Sequence, residues 1–170
     1  IRRERATSNI CTAQALLANM AAMYGVYHGP DGLRAIAGRL HDFTRILERE
    51  LVALGAAQTN AAYFDTLRVE LTTDVEAVRR AALEAAINFR YIDDRTIGIS
   101  LNETVTAADV QDIVNVFAES LGKSPRAITW NLDESRTSHP EFRRVSDFMT
   151  HRVFNTHRSE TQMMRYIRSL

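Results

Sequence analysis

Lysine is almost missing from this chain. Of its 21 basic residues only Lys123 is lysine, so a covalent imine to a side-chain amine has a single candidate here. Cysteine is just as scarce. Cys11 stands alone, which excludes an internal disulfide and fits a reducing compartment. An excess of either charge is lacking too. The 21 basic and 21 acidic residues cancel, so nothing global argues for nucleic acid or an anionic membrane as partner. Long apolar runs are absent. The most apolar stretch, residues 12–27, is interrupted by Gln14 and Asn19 and is too short to span a membrane, and residues 1–11 carry no signal-peptide pattern. What remains is 170 residues, 45% hydrophobic and 25% charged, a balance that suits one packed globular domain with an arm.

The ends carry their own expectation. The chain opens Ile1-Arg2-Arg3-Glu4-Arg5 with no initiator methionine, and it stops at Leu170 inside an unfinished helical pattern. Both ends are expected to lie within a longer polypeptide.

Periodicity predicts the elements. Leu16, Leu17, Met20, Tyr24 and Tyr27 recur at steps of three and four, which predicts a helix over 12–27. That helix is apolar nearly all round and should be buried on several sides. His28-Gly29-Pro30 should stop it, and a second helix should run from 31 to 54 on Leu33, Ile36, Leu40, Phe43, Leu47, Leu51 and Leu54, ended by Gly55. The period then drops to two. Tyr63, Leu67, Val69 and Leu71 alternate with Phe64, Thr66, Arg68 and Glu70, a half-buried strand. Thr73-Asp74-Val75-Glu76 reads as a capping box opening a helix to about Ala86. Two short strands follow around Phe89 and Tyr91 and around Ile97, Ile99 and Leu101, joined by a turn at Asp93-Asp94-Arg95. Thr106 to Asp109 starts a helix with the stripe Val110, Ile113, Val114, Phe117 and Leu121, closed by Gly122. The expected fold is α+β: long helices, then strand-helix-strand-strand-helix around a small, largely antiparallel sheet with helices on one face. Three segments are expected: 1–55 as long helices, 56–122 as a small α+β domain, and 123–170 as a linker or arm ending in a further helix. Ser159-Glu160-Thr161-Gln162 reads as the capping box of that last helix.

Chemistry-bearing residues are few. Histidines 28, 41, 139, 151 and 157 show no i, i+4 pair, and no cysteine pair assists them, so no metal site is expected. Asp93-Asp94 is read as a hairpin tip rather than a catalytic carboxylate pair. Cys11, among Ile10, Ala13 and Ala15, is read as a small packing residue. Thr150-His151-Arg152 recurs as Thr156-His157-Arg158 just before a helix start. Such a group could hold a carboxylate at the free N–H groups of the helix terminus, but an interface arm whose charges aid solubility is the plainer reading. The segment 135–170 carries seven arginines against three acids, a mildly basic stretch and no nucleic-acid site.

Several segments are longer and more unusual than any motif above. They are Ile1 through Met20, Met23-Tyr24, Tyr27-His28-Gly29-Pro30, Phe64-Asp65-Thr66-Leu67, Gly98 through Thr104, Thr150 through Asn155, and Ser159 through Ile167. In wording, order and spacing they resemble the P-protein family of the glycine cleavage system, the decarboxylating glycine dehydrogenases. The family often has proline where Arg152 stands here. The resemblance implies two fused halves, each like a fold type I pyridoxal-phosphate enzyme. Residues 1 to about 122 would end the first half, and residues from about 140 would begin the second. It also implies a reaction in which pyridoxal phosphate acts as electron sink while glycine loses carbon dioxide. The aminomethyl group then passes to the lipoyl group of the H-protein.

Under the same resemblance the cofactor lysine belongs to a later part of the second half. This chain is then expected to contribute no catalytic, cofactor-binding or metal residue and to bind no cofactor by itself. His151, Asn155, His157, Ser159 and Glu160 would be the closest to an active-site margin or interface. The parent is expected to be a homo-oligomer in the bacterial cytoplasm or mitochondrial matrix, without nucleic-acid or membrane partners. An alternative is a free-standing α+β module that binds a small ligand or regulates. The residues from 123 onward have too few periodic apolar positions to fold alone, so Trp130, Phe142, Phe148, Phe154 and Tyr166 are expected to anchor them. Helix 12–27 is expected to leave apolar surface exposed in this chain.

Overall fold

The computed structural model describes residues 12–131 and 144–170. In chain order the elements are α1 (Thr12–Ala53), β1 (Ala57–Gln58), β2 (Thr66–Glu70), α2 (Glu76–Glu84), β3 (Arg90–Tyr91), β4 (Thr96–Ser100), α3 (Ala107–Ser120), a 3-10 turn (Arg152–Asn155) and α4 (Glu160–Ser169). They form two compact units, Ile1–Ala35 with Val145–Leu170 and Ile36–Arg144.

α1 holds the two expected helices end to end. Gly29 interrupts it at φ 60°, ψ −176°, a backbone region open in practice only to glycine. Pro30 then restarts the helix with its preset φ. On the first stretch Leu16, Leu17 and Met20 are exposed and Val26 is buried. The expectation of burial on several sides is therefore not met within this chain, whereas exposed apolar surface is found.

In the second unit the alternating pattern becomes a sheet. The strand order is β1-β2-β4-β3 and every pairing is antiparallel. Leu67 lies opposite Ile99 and Val69 opposite Ile97. All four are buried, while Thr66, Arg68, Glu70 and Ser100 are exposed. One face is thus sealed by cross-strand aliphatic pairs, and the period-two reading was right about which face. Against it lie Leu47 and Leu51 from α1, Val78 and Ala82 from α2, and Val110, Val114 and Phe117 from α3. Phe117 is wholly buried and meets Phe89 edge-on at 5.7 Å.

Three helix ends in this unit close alike. The amides of Ala56, Ile87 and Lys123 donate back to the carbonyls of Leu51, Ala82 and Ala118 at 2.8–3.0 Å, each around a residue with positive φ. Glycine supplies that residue at 55 and 122, but at 86 it is alanine, with φ 56°. α3 starts where expected, and on a capping box: Thr106 Oγ1 accepts from the Asp109 amide, and the Asp109 carboxylate accepts from the Thr106 amide. α2 does not. Its first turn is capped by Asp74, whose Oδ1 accepts from the Glu76 amide at 2.7 Å, not by Thr73. Val75 is already helical, and its amide donates to Asp94 O on the hairpin tip at 3.0 Å. That tertiary bond sets the helix start one residue later than the local pattern does.

The residues after Gly122 are held by side chains rather than by a ladder. Lys123 Nζ donates to Leu54 O at 2.7 Å. The Gln111 amide brackets the chain, donating to Arg126 O and accepting from the Ile128 amide, both at 2.9 Å. Arg49 donates to the carbonyls of Thr129 and Asn131. Glu50, with its side chain only 4% exposed, receives Arg49 at 2.8 Å and Arg126 at 2.7 Å. Ile128 is buried, and Trp130 meets Phe43 edge-on at 5.8 Å.

Candidate functional site

Residues 149–169 carry the expected margin residues, and their local folding explains most of them. Met149 has φ 52°, an uncommon value for a residue with a Cβ. Asn155 secures the turn that follows: its Nδ2 donates to Met149 O and His151 O, both at 3.1 Å. His151 caps the 3-10 turn, its Nδ1 accepting from the Val153 amide at 3.2 Å. Because Nδ1 accepts, the ring proton of the neutral imidazole sits on Nε2.

Arg158 is tied down. Its guanidinium donates to Asn155 Oδ1 at 3.1 Å and Phe154 O at 3.3 Å, and it lies 3.7 Å from the Asp31 carboxylate. Ser159 caps α4 by accepting from the Gln162 amide at 3.3 Å. The expected reciprocal bond is displaced by one residue, since Gln162 Oε1 accepts from the Arg158 amide at 3.1 Å. Glu160 is exposed in the first turn. Of the five margin residues, Asn155 and Ser159 are therefore occupied with holding the turn and the helix start.

His157 and Tyr166 form the centre of the arrangement. Their rings stack at 4.4 Å and 17°. A cleft of about 410 Å³ on one side is lined by His151, Arg152, Val153, Thr156, His157 and Tyr166. A second cleft, about 350 Å³, shares Thr156, His157 and Tyr166 and adds Gln162, Arg165 and Ser169. The structure thus gathers His151 and His157 in one cleft and leaves Asn155, Ser159 and Glu160 off its walls. Arg152, already singled out in the repeated Thr-His-Arg group, lines the larger cleft with Tyr166, and Arg165 joins Tyr166 in the second; neither Arg165 nor Tyr166 had been picked out as a site residue. The signal for Tyr166 was helical, a residue about two turns past the Ser159 cap and so on the same side of α4 as the cap.

The other candidates have structural roles. His28 packs on Tyr24 at 4.3 Å, and His41 stacks on Phe64 at 5.1 Å with Nδ1 2.8 Å from Phe64 O. Among the described residues no three His, Cys, Asp or Glu side chains are placed to hold a metal, and no helix is long and apolar enough to cross a membrane. Cys11, His139 and Phe142 lie outside the described residues. Asp93 Oδ1 accepts from the Arg95 amide at 2.9 Å, and this bond, with help from Thr96, holds its carboxyl below the usual range. It is a turn residue. Of the expected anchors, Phe148 lies under the Arg34 guanidinium at 4.8 Å. A Cβ on Gly25 would stand 3.8 Å from the Phe154 ring. Lys123 does not fit a Schiff-base role, because its amine is engaged with Leu54 O beside the α1 terminus.

Residues 1–117 match the family model described as glycine cleavage system P-protein. Similar curated proteins include the glycine dehydrogenase (decarboxylating) of Flavobacterium johnsoniae, 46% identical over 170 residues, all of this chain and 18% of that protein. That of Paraburkholderia xenovorans is 46% identical over 176 residues, again all of this chain and 18% of the relative. The mitochondrial glycine dehydrogenase (decarboxylating) of Mus musculus is 45% identical over 179 residues, with 17% of its length covered. The chain spans under a fifth of the length of these relatives.

Proposed function

The chain belongs to the glycine cleavage system P-protein family, and from that premise we propose that it serves a decarboxylating glycine dehydrogenase as a non-catalytic scaffold segment. The parent reaction would use pyridoxal phosphate to decarboxylate glycine and pass the aminomethyl group to lipoylated H-protein. On this reading residues 56–122 form a small domain ending one half of the parent, and 123–170 lead into the other. The parent is a homo-oligomer of the bacterial cytoplasm or the mitochondrial matrix.

One observation carries the scaffold role. The only lysine available to hold the cofactor is Lys123, and its amine donates to Leu54 O at 2.7 Å. That bond gives the amine a structural role, closing the free carbonyls at the C-terminus of α1. The covalent cofactor site therefore belongs to other parts of the parent, and the work of this segment is to position and support.

The test is a Lys123→Gln change in the full-length parent enzyme. Cofactor absorbance and glycine-dependent release of carbon dioxide should both persist. The 170-residue chain, mixed with pyridoxal phosphate and reduced with borohydride, should yield no adduct on the Lys123 peptide. A stoichiometric adduct there, together with turnover, would overturn the proposal.

A further inference from the structure

The larger cleft beside the His157–Tyr166 stack has an unbalanced lining. Its polar groups are the His151 ring, the Arg152 guanidinium, the His157 ring, the Tyr166 hydroxyl and Thr156, and no carboxylate is among its walls. Thr156 is satisfied locally, its Oγ1 donating to Arg152 O at 2.9 Å. His151 carries its ring proton on Nε2, because its Nδ1 accepts from the Val153 amide. Among the described residues neither the Arg152 guanidinium nor the Tyr166 hydroxyl has a hydrogen-bond partner.

The repeated Thr-His-Arg sequence sharpens the contrast. Arg158, in the second copy, is spent on Asn155, Phe154 O and Asp31. Arg152, in the first, is spent on nothing described. The amides at the α4 start are also partly taken, since Ser159 caps Gln162 and Gln162 caps Arg158. An anion would therefore find its best donors in the cleft and not at the helix terminus.

We propose that this cleft binds a small planar anion, with its carboxylate or phosphate on Arg152 and His151 and its flat body along the His157–Tyr166 wall. Guanidinium matches such oxyanions with two parallel N–H bonds. The imidazole and phenol add donors beside it, and Val153 supplies an apolar edge. A volume of about 410 Å³ is in the range of sites for small molecules. The inference rests on the lining residues and is independent of the enzymatic reading, since its test measures binding and not turnover.

The experiment titrates benzoate, phenyl phosphate, acetate and inorganic phosphate into the 170-residue chain, following ring proton resonances of His151, His157 and Tyr166. Saturable shifts of these rings are expected with the two aromatic anions, and binding about tenfold weaker with acetate and inorganic phosphate, which lack a ring to stack. Carboxylate against phosphate then reports which oxyanion the donors prefer. Arg152→Gln should weaken the aromatic anions by about tenfold or more, the loss of one charge-assisted pair. Arg168→Gln, on the far side of α4 in a different cleft, should leave them unchanged. Arg152 is exposed, so its variant is expected to keep the native fold, checked by unchanged far-ultraviolet circular dichroism. Absence of saturable shifts overturns the proposal. So does equal weakening by the two arginine variants, or binding of the small anions as tight as that of the aromatic ones.

Discussion

Glu50 offers a test of the packing around residues 123–131. Its carboxylate takes four N–H contacts: Arg49 Nε and Nη2 at 3.0 and 2.8 Å, and Arg126 Nε and Nη2 at 3.2 and 2.7 Å. The carboxylate is buried, but the arginine side chains are 38% and 60% exposed, which makes the two sides of the network unequal. Glu50→Gln removes the buried charge and leaves two guanidiniums that water can reach, so the loss should be about 2 kcal/mol. Removing both arginines, as Arg49→Met with Arg126→Met, strands an ionised carboxylate in the interior and should cost about 3–5 kcal/mol. The triple change to methionine at 49, 50 and 126 should recover part of that loss, because no buried charge is left unpaired. Urea unfolding followed by Trp130 fluorescence measures all three, and Trp130 sits beside the network on Phe43. The m-value should stay constant, so that midpoints report stability. A Glu50→Gln loss as large as that of the double arginine variant would refute the argument. A triple variant weaker than the double one would refute it too.

Three further outcomes can be checked by similar means. Gly29→Ala should destabilise by about 3 kcal/mol or more in thermal unfolding, since a Cβ there would stand 2.5 Å from Phe154 O and 2.6 Å from Arg158 Nη2; an unchanged midpoint would contradict this. Ala86→Gly should stabilise by about 1 kcal/mol in urea by relieving the left-handed alanine at φ 56°, and a loss there would count against the reading of that helix end. The Asp109 carboxyl lies below its usual range because the Thr106 amide and then the Thr106 hydroxyl donate to it. Its contribution is therefore complete above the unfolded value of about 4 and is lost as pH falls through the lower folded value. The stability difference between the wild-type chain and Asp109→Asn should be constant near neutrality and shrink below about pH 4, and a difference that grows in acid would exclude that account.

The elements most legible in the sequence were those whose burial is periodic. Leu67 and Val69, and Val110, Val114 and Phe117, faced inward as their spacing required. The helix start at Thr106 and the stop at Gly122 were likewise local and readable. α2 was readable as a helix but not in its cap, because a bond from Val75 to the distant Asp94 carbonyl chose the first turn. Residues 123–131 looked like linker because side chains from α1 and α3 hold their carbonyls and amides, and such contacts leave no period behind. β1, two residues long, is too brief for alternation to reveal. At the candidate site the histidines could be picked from the sequence. What separates Arg152 from Arg158 could not, because it depends on Asp31 and Asn155 being near one of them.

The bond from Lys123 to Leu54 O has a practical consequence. Every lysine-directed reagent or protease has one internal address in this molecule, and that address doubles as the latch on a helix end. Acylation of the amine, or cutting after the residue, requires the latch to lift first. The pace of acylation under native conditions thus reports how often that one side-chain hydrogen bond opens. A single mass-spectrometric peak records it, with no label introduced.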